Sequence, residues 1–188
     1  MEHFPGATIH AFEPDPDSFA VLQEVTKSLS SSSRVKIHPL AMGDHVHKAK
    51  LLKTVWSQSN SLLPASPTLN SPAHRKIGEV EIVVATIDQF CQDNKIETID
   101  FLKTDCQGLD LLVLKGATKM LSERRVKVIQ CECLFNSEYE GQGWFYEILH
   151  FLTDIGYAPV TFGEPARNAN LEATSSDVIF KRVDPAQG

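Results

Sequence analysis

The sequence predicts an α/β domain with a mostly parallel sheet and helices on both faces. Apolar runs of strand length alternate with segments whose apolar residues recur at helical spacing, and this alternation is typical of such sheets. No internal repeat or shift in composition divides the chain. We therefore expect one domain over residues 1–188, with a flexible loop at about residues 57–78.

The predicted strands are short apolar runs that end at turn residues. The first begins almost at the first residue of the chain. In order, the strands cover residues 7–12, 35–40, 48–55, 79–85, 99–104, 126–131, 157–162 and 177–181.

The first predicted helix follows Asp15, which can cap it, and Pro16, which suits the first helical position. Later helices are expected from Thr86, where Asp88 would favour the first turn, after Gly108, and over residues 143–155. The stripe of the first helix that we expect to face the sheet consists of Phe19, Leu22, Val25 and Leu29.

The composition excludes several classes of protein. The chain has 42% hydrophobic and 22% charged residues and a formal net charge of −6, which argues against disorder and against a nucleic-acid partner. No apolar stretch approaches the roughly 18 residues that span a bilayer, and no signal pattern precedes the first strand. We expect a cytoplasmic protein without a membrane span.

The four cysteines predict core residues and no metal site. They form no Cys-x-x-Cys pair, and Cys131 and Cys133 would share one face of a strand. Free cysteines of this kind are usually buried and reduced.

Charged residues follow several predicted strands, where α/β sheets bind their ligands. Glu13 follows the first strand; it could accept the hydroxyls of a ribose or simply complement the next helix N-terminus. Lys103 and Asp105 share a strand face that we expect to be buried, and Glu132 ends the next strand. Buried charges survive when they are paired or used, so this group is an active site or a structural ion network.

Several segments together resemble the FkbM family of S-adenosylmethionine-dependent methyltransferases. Residues 11–16 read Ala-Phe-Glu-Pro-Asp-Pro, and residues 99–110 read Ile-Asp-Phe-Leu-Lys-Thr-Asp-Cys-Gln-Gly-Leu-Asp. Gln107 stands where the family usually has an acidic residue, and Asp110 where it has Glu. The further matches, in the family's order, are residues 40–44, 60–62, 85–90, 114–117, 139–142 and 151–157.

The resemblance implies a Rossmann-like class I methyltransferase fold with S-adenosyl-L-methionine as the methyl donor. It implies that Glu13 binds the ribose of the donor and that Thr104 and Asp105 line its methionine end. The residues that it places beside the adenine are Ala41, Met42 and Asp44.

The family also has a strand and a glycine-rich turn ahead of the position of Glu13. Only six residues precede the first predicted strand, so we expect an N-terminally truncated fold. The strands at residues 7–12 and 99–104 should then each have an unpaired edge.

The resemblance predicts O-methylation of a hydroxyl on a small molecule, sugar or lipid. Asp105 is expected either to act as the base or to position the hydroxyl, tuned by Lys103 and Glu132. Ser61 would lie near the acceptor under a lid at residues 57–78, with Trp56 packed over the ligand.

Two other functions stay open. The chain could be an inactive family member that acts as a binding module, with its strand edges filled by a second copy or a partner strand. A nicotinamide-dependent reductase is disfavoured because no Gly-x-Gly-x-x-Gly motif occurs.

Overall fold

A computed structural model describes residues 6–29, 32–69 and 71–183 of the chain. Helices and strands alternate over most of this length, as predicted. The elements are β1 (Ile9–Phe12), α1 (Pro16–Ser28), β2 (Val35–His38), β3 (Ala41–Met42), β4 (His47–Thr54), β5 (Lys76–Ala85), α2 (Ile87–Asp93), β6 (Ile99–Thr104), α3 (Asp110–Lys115), α4 (Thr118–Ser122), β7 (Val126–Leu134), α5 (Phe145–Asp154), β8 (Tyr157–Phe162), β9 (Ala166–Arg167) and β10 (Ala173–Arg182).

The strands in the described residues form three separate sheets. The α/β class is therefore confirmed, but the single, mostly parallel sheet is not. The largest has the order β6-β7-β10-β8, with β9 on β10, and only its β6–β7 pair is parallel. The second has the order β3-β5-β4, and the third is the parallel pair β1–β2. β8 and β10 are joined without a crossover helix, which favours antiparallel pairing.

β1 and β6 each pair with a strand on one side only within the described ranges. β1 pairs with β2, and β6 pairs with β7. The unpaired edges expected for these two strands are therefore seen in this part of the chain.

The main core lies between the largest sheet, with the order β6-β7-β10-β8, and the helices that follow its strands. On β7, Ile129, Cys131 and Cys133 are fully buried, and the two cysteine sulfurs lie 3.7 Å apart. α3 and α5 pack against this strand. The opposite face is partly open to solvent: Phe101 is 45% exposed, so the prediction of helices on both faces is not confirmed.

Helix α1 is capped as predicted, but its apolar stripe is not buried. Asp15 is the N-cap and Pro16 opens the helix. Val25 and Leu29 are 52% and 38% exposed, and Thr26 is the buried residue of the helix. The predicted packing of this stripe against the sheet is therefore wrong for its second half.

Asp15 also connects the β1 end of the molecule to β4 and the segment after it. Its carboxylate is almost fully buried, accepts a hydrogen bond from Asn60 Nδ2 at 3.1 Å, and pairs with Lys53 Nζ at 3.1 Å. A buried carboxylate needs such partners. These contacts hold the turn after β1 against β4, which belongs to another sheet.

A close contact between Gly116 and Gly43 brings the β3-β5-β4 sheet against the main core. A Cβ added at Gly116 would lie 1.9 Å from the carbonyl oxygen of Gly43. The Gly43 N–H donates to Ala85 O at 2.9 Å, and the Gly116 carbonyl accepts from Asp88 N–H at 3.0 Å. Only glycine fits this approach of two backbone segments.

None of the helices in the described part of the chain combines the length and the hydropathy needed to cross a lipid bilayer.

Candidate functional site

Lys103 and Asp105 form an ion pair at the carboxyl end of β6. Lys103 Nζ lies 2.9 Å from Asp105 Oδ2, and Gln107 Nε2 donates to Asp105 Oδ1 at 3.1 Å. Both oxygens of the Asp105 carboxylate are thus engaged. The two side chains of the ion pair are each 46% exposed, so the prediction that they are buried on both sides is wrong, because this face of the sheet is partly open.

Gln107 is held by hydrogen bonds to Asp105, Tyr139 and Ser61. Its backbone has a φ of +51°, a conformation that is uncommon outside glycine. Its side-chain oxygen accepts from the Tyr139 hydroxyl at 2.6 Å, and its carbonyl accepts from the Ser61 hydroxyl at 2.8 Å. Strained backbone that is held by several contacts is concentrated at functional sites. A chain of hydrogen bonds therefore runs from Tyr139 through Gln107 to Asp105.

Sequence reasoning missed the roles of Gln107 and Tyr139. Gln107 was noted only as a departure from the family pattern, and Tyr139 only as part of a matching segment. Their contact joins residues 32 positions apart, and no spacing rule predicts such a pair. Burial, followed by nearby carboxylates, raises the pKa of Tyr139 above its usual range, so its hydroxyl stays a hydrogen-bond donor.

Glu132 lies inside β7, which continues to Leu134, so the prediction that it ends this strand is wrong. It lies close enough to Asp105 for the charge of that carboxylate to act on it. It is half-buried, and none of the described residues gives its carboxylate a hydrogen bond or an ion pair. Its cross-strand neighbour is Asp177, which is held by Gln130 Nε2 at 2.8 Å. Burial first, and then the surrounding carboxylates, raise the pKa of Glu132 to about 7.

Two buried oxygens lie at the end of β6 and the start of α3 without a partner in the described structure. They are Thr104 Oγ1 and Asp110 Oδ1. Asp110 Oδ2 accepts from the Cys106 N–H at 3.1 Å. Burial raises the pKa of Asp110 to about 6. Buried polar atoms left without partners are candidates for ligand contacts.

Glu13 follows β1, as predicted, and is half-buried. Its N–H donates to His38 O at 3.0 Å, and its Oε1 accepts from the Asp15 N–H at 2.8 Å. Burial is the main cause of a raised pKa of its carboxyl. The side chain is thereby oriented through one oxygen.

Two of the three residues predicted beside the adenine line a cleft of about 630 Å³. Ala41 and Met42 form β3, and Met42 and Asp44 line the cleft together with Leu62 and Leu109. Asp44 pairs with His45 at 2.7 Å, and this hydrogen bond lowers the pKa of Asp44.

This cleft does not bring all the predicted donor residues together. Neither Glu13 nor the pair Thr104 and Asp105 is among the described residues that line it. The adenine residues and the residues at the strand ends therefore border different surfaces of the described structure.

The two predicted substrate residues lie in different environments. Ser61 is 3% exposed and its hydroxyl donates a hydrogen bond to the Gln107 carbonyl. Trp56 is 62% exposed and lines neither the cleft of about 630 Å³ nor the cavity of about 250 Å³. Ser61 lines a smaller cavity of about 250 Å³ together with Ser59, His74 and Tyr139. Neither Asp105 nor Gln107 is among the described residues that line this cavity, but Ser61 and Tyr139, which do, both donate hydrogen bonds to Gln107.

The predicted lid is anchored rather than open in the described residues. Ser59, Ser61 and Ser66 are buried, and an isolated bridge joins Ala65 to Tyr139. β5 begins at Lys76, earlier than the predicted strand. A role as a lid stays a prediction.

The hydrogen-bonded carboxylate of Asp105 follows β6, and the carboxylate of Glu132, unpaired within the described residues, lies on the adjacent strand β7. In α/β domains, ligands bind at the carboxyl ends of the strands. The family model described as the methyltransferase FkbM domain matches residues 1–159. The chain belongs to the FkbM methyltransferase family.

Two known proteins are similar to the chain. The 2-O-methyltransferase NoeI of Sinorhizobium fredii is 25% identical over 146 residues, which are 73% of this chain and 58% of NoeI. A crystal structure of methyltransferase FkbM from Methylobacillus flagellatus KT covers 91% of this chain with a TM-score of 0.56 and 18% identity, and this alignment spans 36% of that protein. The second likeness supports the fold alone. The chain thus spans little more than half the length of its curated relative.

Proposed function

We propose that this protein transfers a methyl group from S-adenosyl-L-methionine to a hydroxyl of a small molecule, sugar or lipid. The observation that carries the proposal is the ion pair of Lys103 and Asp105 at the carboxyl end of β6, with Glu132 on the adjacent strand β7, in a chain of this family. The name of the relative NoeI, a 2-O-methyltransferase, supports oxygen as the methylated atom.

The residues at the strand ends suit the polar parts of such a donor. Glu13 is oriented by the Asp15 N–H through Oε1, and its other oxygen can accept from ribose hydroxyls. Thr104 Oγ1 lies at the end of β6 and Asp110 Oδ1 at the start of α3, and neither makes a hydrogen bond of normal geometry in the described residues, although the Thr104 hydroxyl acts on the Asp110 carboxyl. A polar group of the donor would satisfy both oxygens. Met42 and Asp44 would lie beside the adenine at the border of the larger cleft.

The residues around Asp105 would orient the acceptor. S-adenosylmethionine supplies an activated methyl group, so the protein has to align the attacking hydroxyl and take its proton. Asp105, held by Lys103 and Gln107, presents a carboxylate of fixed orientation. Ser61 and Tyr139, which both hydrogen-bond to Gln107, line a cavity of about 250 Å³ that would receive the acceptor.

Titration calorimetry with S-adenosylmethionine and S-adenosylhomocysteine tests the donor. We expect both to bind, and absence of binding at millimolar concentration would refute the proposal for this chain. Transfer of a radiolabelled methyl group to a panel of glycosides, lipids and simple alcohols then identifies the acceptor class. Product that is stable to mild base would indicate an ether rather than a methyl ester.

A second candidate function is that of a binding module, favoured by the unpaired edges of β1 and β6 in the described ranges. Unpaired strand edges recruit further strands, and a second copy of the chain would be one partner. Light scattering over a range of concentrations tests this, because a purely monomeric chain that binds the donor would favour the enzyme.

A further inference from the structure

We infer that Glu132 takes the proton from the acceptor hydroxyl, and that Asp105 is a positioning residue. The inference rests on the proposed function and assigns roles within the same site. The sequence left two roles open for Asp105, base or positioning of the hydroxyl, with Glu132 tuning it. The inference selects positioning for Asp105 and makes Glu132 the base.

The contacts of Asp105 suit orientation better than proton transfer. Lys103 and Gln107 donate to its two oxygens at 2.9 and 3.1 Å, and both bonds stabilise the ionised carboxylate. Gln107 is itself held by Tyr139 and Ser61. A carboxylate that is held at both oxygens by side chains that are themselves anchored keeps a fixed orientation.

The ladder register places Glu132 next to Asp105. On the parallel strands β6 and β7, Lys103 pairs with Gln130 and Thr104 pairs with Cys131. Asp105 follows β6 directly after this last pair, Glu132 follows Cys131 on β7, and neighbouring strands lie about 4.8 Å apart. The charge of Asp105 acts on Glu132, which places the two carboxylates near each other. An acceptor hydroxyl that is oriented by Asp105 would therefore lie within reach of Glu132.

Glu132 is unpaired although charged groups surround it. The groups that act on it are Asp105 after β6, Asp110 of α3, Glu138 after β7 and Asp177 of β10. The nearby cation Lys103 is paired with Asp105. A half-buried carboxylate among like charges, with no partner in the described structure, costs stability, and such a cost is understandable where the group acts on a ligand.

The chemical step then balances. Glu132 accepts the hydroxyl proton while the bond between the acceptor oxygen and the methyl carbon forms. The carbon–sulfur bond of the donor breaks at the same time, and the electron pair of that bond stays on sulfur. The products are the methyl ether, S-adenosylhomocysteine and a protonated Glu132, which returns its proton to solvent. A carboxyl with a pKa of about 7 suits a base near neutral pH.

Calorimetry at pH 7 tests this assignment without an acceptor. The donor carries a sulfonium charge that S-adenosylhomocysteine lacks, so its binding beside Glu132 should lower the pKa of that group and release a proton. For a pKa that falls from about 7 by one to three units, the release is about 0.4–0.5 proton. Titrations in phosphate and in Tris, which differ in ionisation enthalpy, measure this number directly.

Three variants separate the possible sources of the proton. Glu132→Gln should abolish the difference in proton release between the two ligands, whereas the control Glu140→Gln, an exposed residue of the nearby loop, should keep it. Asp105→Asn should keep the release but move its maximum to lower pH, because one neighbouring negative charge is gone. Loss of the release in Asp105→Asn at every pH, or its persistence in Glu132→Gln, would overturn the assignment.

The outcome for the proposed function is distinct. Wild-type protein that binds both ligands with equal proton release would leave the methyltransferase proposal standing and refute the role of Glu132. Failure to bind S-adenosylmethionine at all would refute both.

Discussion

The Tyr139 hydroxyl donates a hydrogen bond of 2.6 Å to Gln107 Oε1, and the other end of the same amide donates to Asp105 Oδ1 at 3.1 Å. A buried aromatic residue of the loop after β7 thereby sets the orientation of a half-exposed carboxylate at the end of β6. The arrangement makes the geometry of the candidate site depend on a residue outside the sheet.

Removal of this hydroxyl should destabilise the protein. Tyr139→Phe leaves Gln107 Oε1 without its donor, and we expect the free energy of unfolding to fall by about 1 kcal/mol. Urea denaturation measures the change. Tyr146→Phe is the matched control, since Tyr146 is 63% exposed and should lose nothing measurable; equal losses in both variants would contradict this reading.

The Gly116–Gly43 contact should tolerate no side chain. In Gly116→Ala the new Cβ meets a backbone carbonyl, which has to move, and we expect a loss of about 3 kcal/mol or more in the free energy of unfolding. Gly78→Ala serves as the control because nothing lies within 4 Å of its added Cβ. A Gly116→Ala protein with wild-type stability would mean that the two segments do not approach each other in solution.

Glu132 should reduce stability at high pH. Its pKa is raised to about 7 in the folded protein from the usual 4.5, so the folded state binds the proton more tightly than the unfolded state. The contribution of Glu132 to stability is therefore full below pH 4.5 and is lost as the pH rises through 7.

Glu132→Gln should accordingly be more stable than the wild type at pH 8, by about 1–3 kcal/mol. The two proteins should be equally stable below pH 4.5, where both side chains are neutral. Denaturant titrations at several pH values give the comparison, and a difference independent of pH would show that the effect arises from packing.

Glu13 should contribute to binding of the methyl donor. We expect Glu13→Ala to weaken the affinity for S-adenosylmethionine by about 1–2 kcal/mol, through lost hydrogen bonds to the ribose. Calorimetry measures the affinity, and Glu24→Ala, which removes an exposed carboxylate of α1 paired with Lys27, is the control. Unchanged affinity in Glu13→Ala would refute the role.

Asp88 caps a helix other than its own. Its carboxylate accepts from the N–H groups of Lys119 and Met120 at 2.8 and 2.9 Å, at the start of α4. Asp88→Ala should cost about 1–3 kcal/mol of stability, because two donors lose a charged acceptor. Asp100→Ala breaks an exposed pair with Lys127 and should cost less than about 1 kcal/mol; similar losses would argue against the capping role.

Sequence reasoning predicted the elements whose limits are set locally. β6 and β8 have the predicted bounds, because apolar runs and polar turns define both ends. The cap of α1 by Asp15 was likewise readable from neighbouring prolines. Asp88, in contrast, was expected only to favour the first turn of its own helix. Its partners lie 31 and 32 residues away, and no local pattern reports them.

The candidate site was predicted in its members but not in its contacts. The alternation of residues along β6 and β7 predicted that Lys103, Asp105 and Glu132 lie near each other, and the structure has Lys103 and Asp105 paired at the end of β6 with Glu132 on the adjacent strand. Glu132 lies inside β7 rather than at its end, because β7 continues to Leu134. The expectation that Lys103 and Asp105 are buried was wrong, because alternation shows which residues share a face but not what covers it. The anchoring by Gln107 and Tyr139 depends on a loop contact that folding alone creates.

The segment of residues 57–69 connects substrate size to the alignment of Asp105. Ser61 borders the 250 Å³ cavity and also holds the Gln107 carbonyl. If the methyl acceptor enters this cavity as proposed, a compound too large for it would require the segment to move, and that movement would strain the hydrogen bond between Ser61 and the Gln107 carbonyl. For a methyl acceptor, discrimination between small and bulky compounds would then be expressed in the rate of transfer more than in the strength of binding.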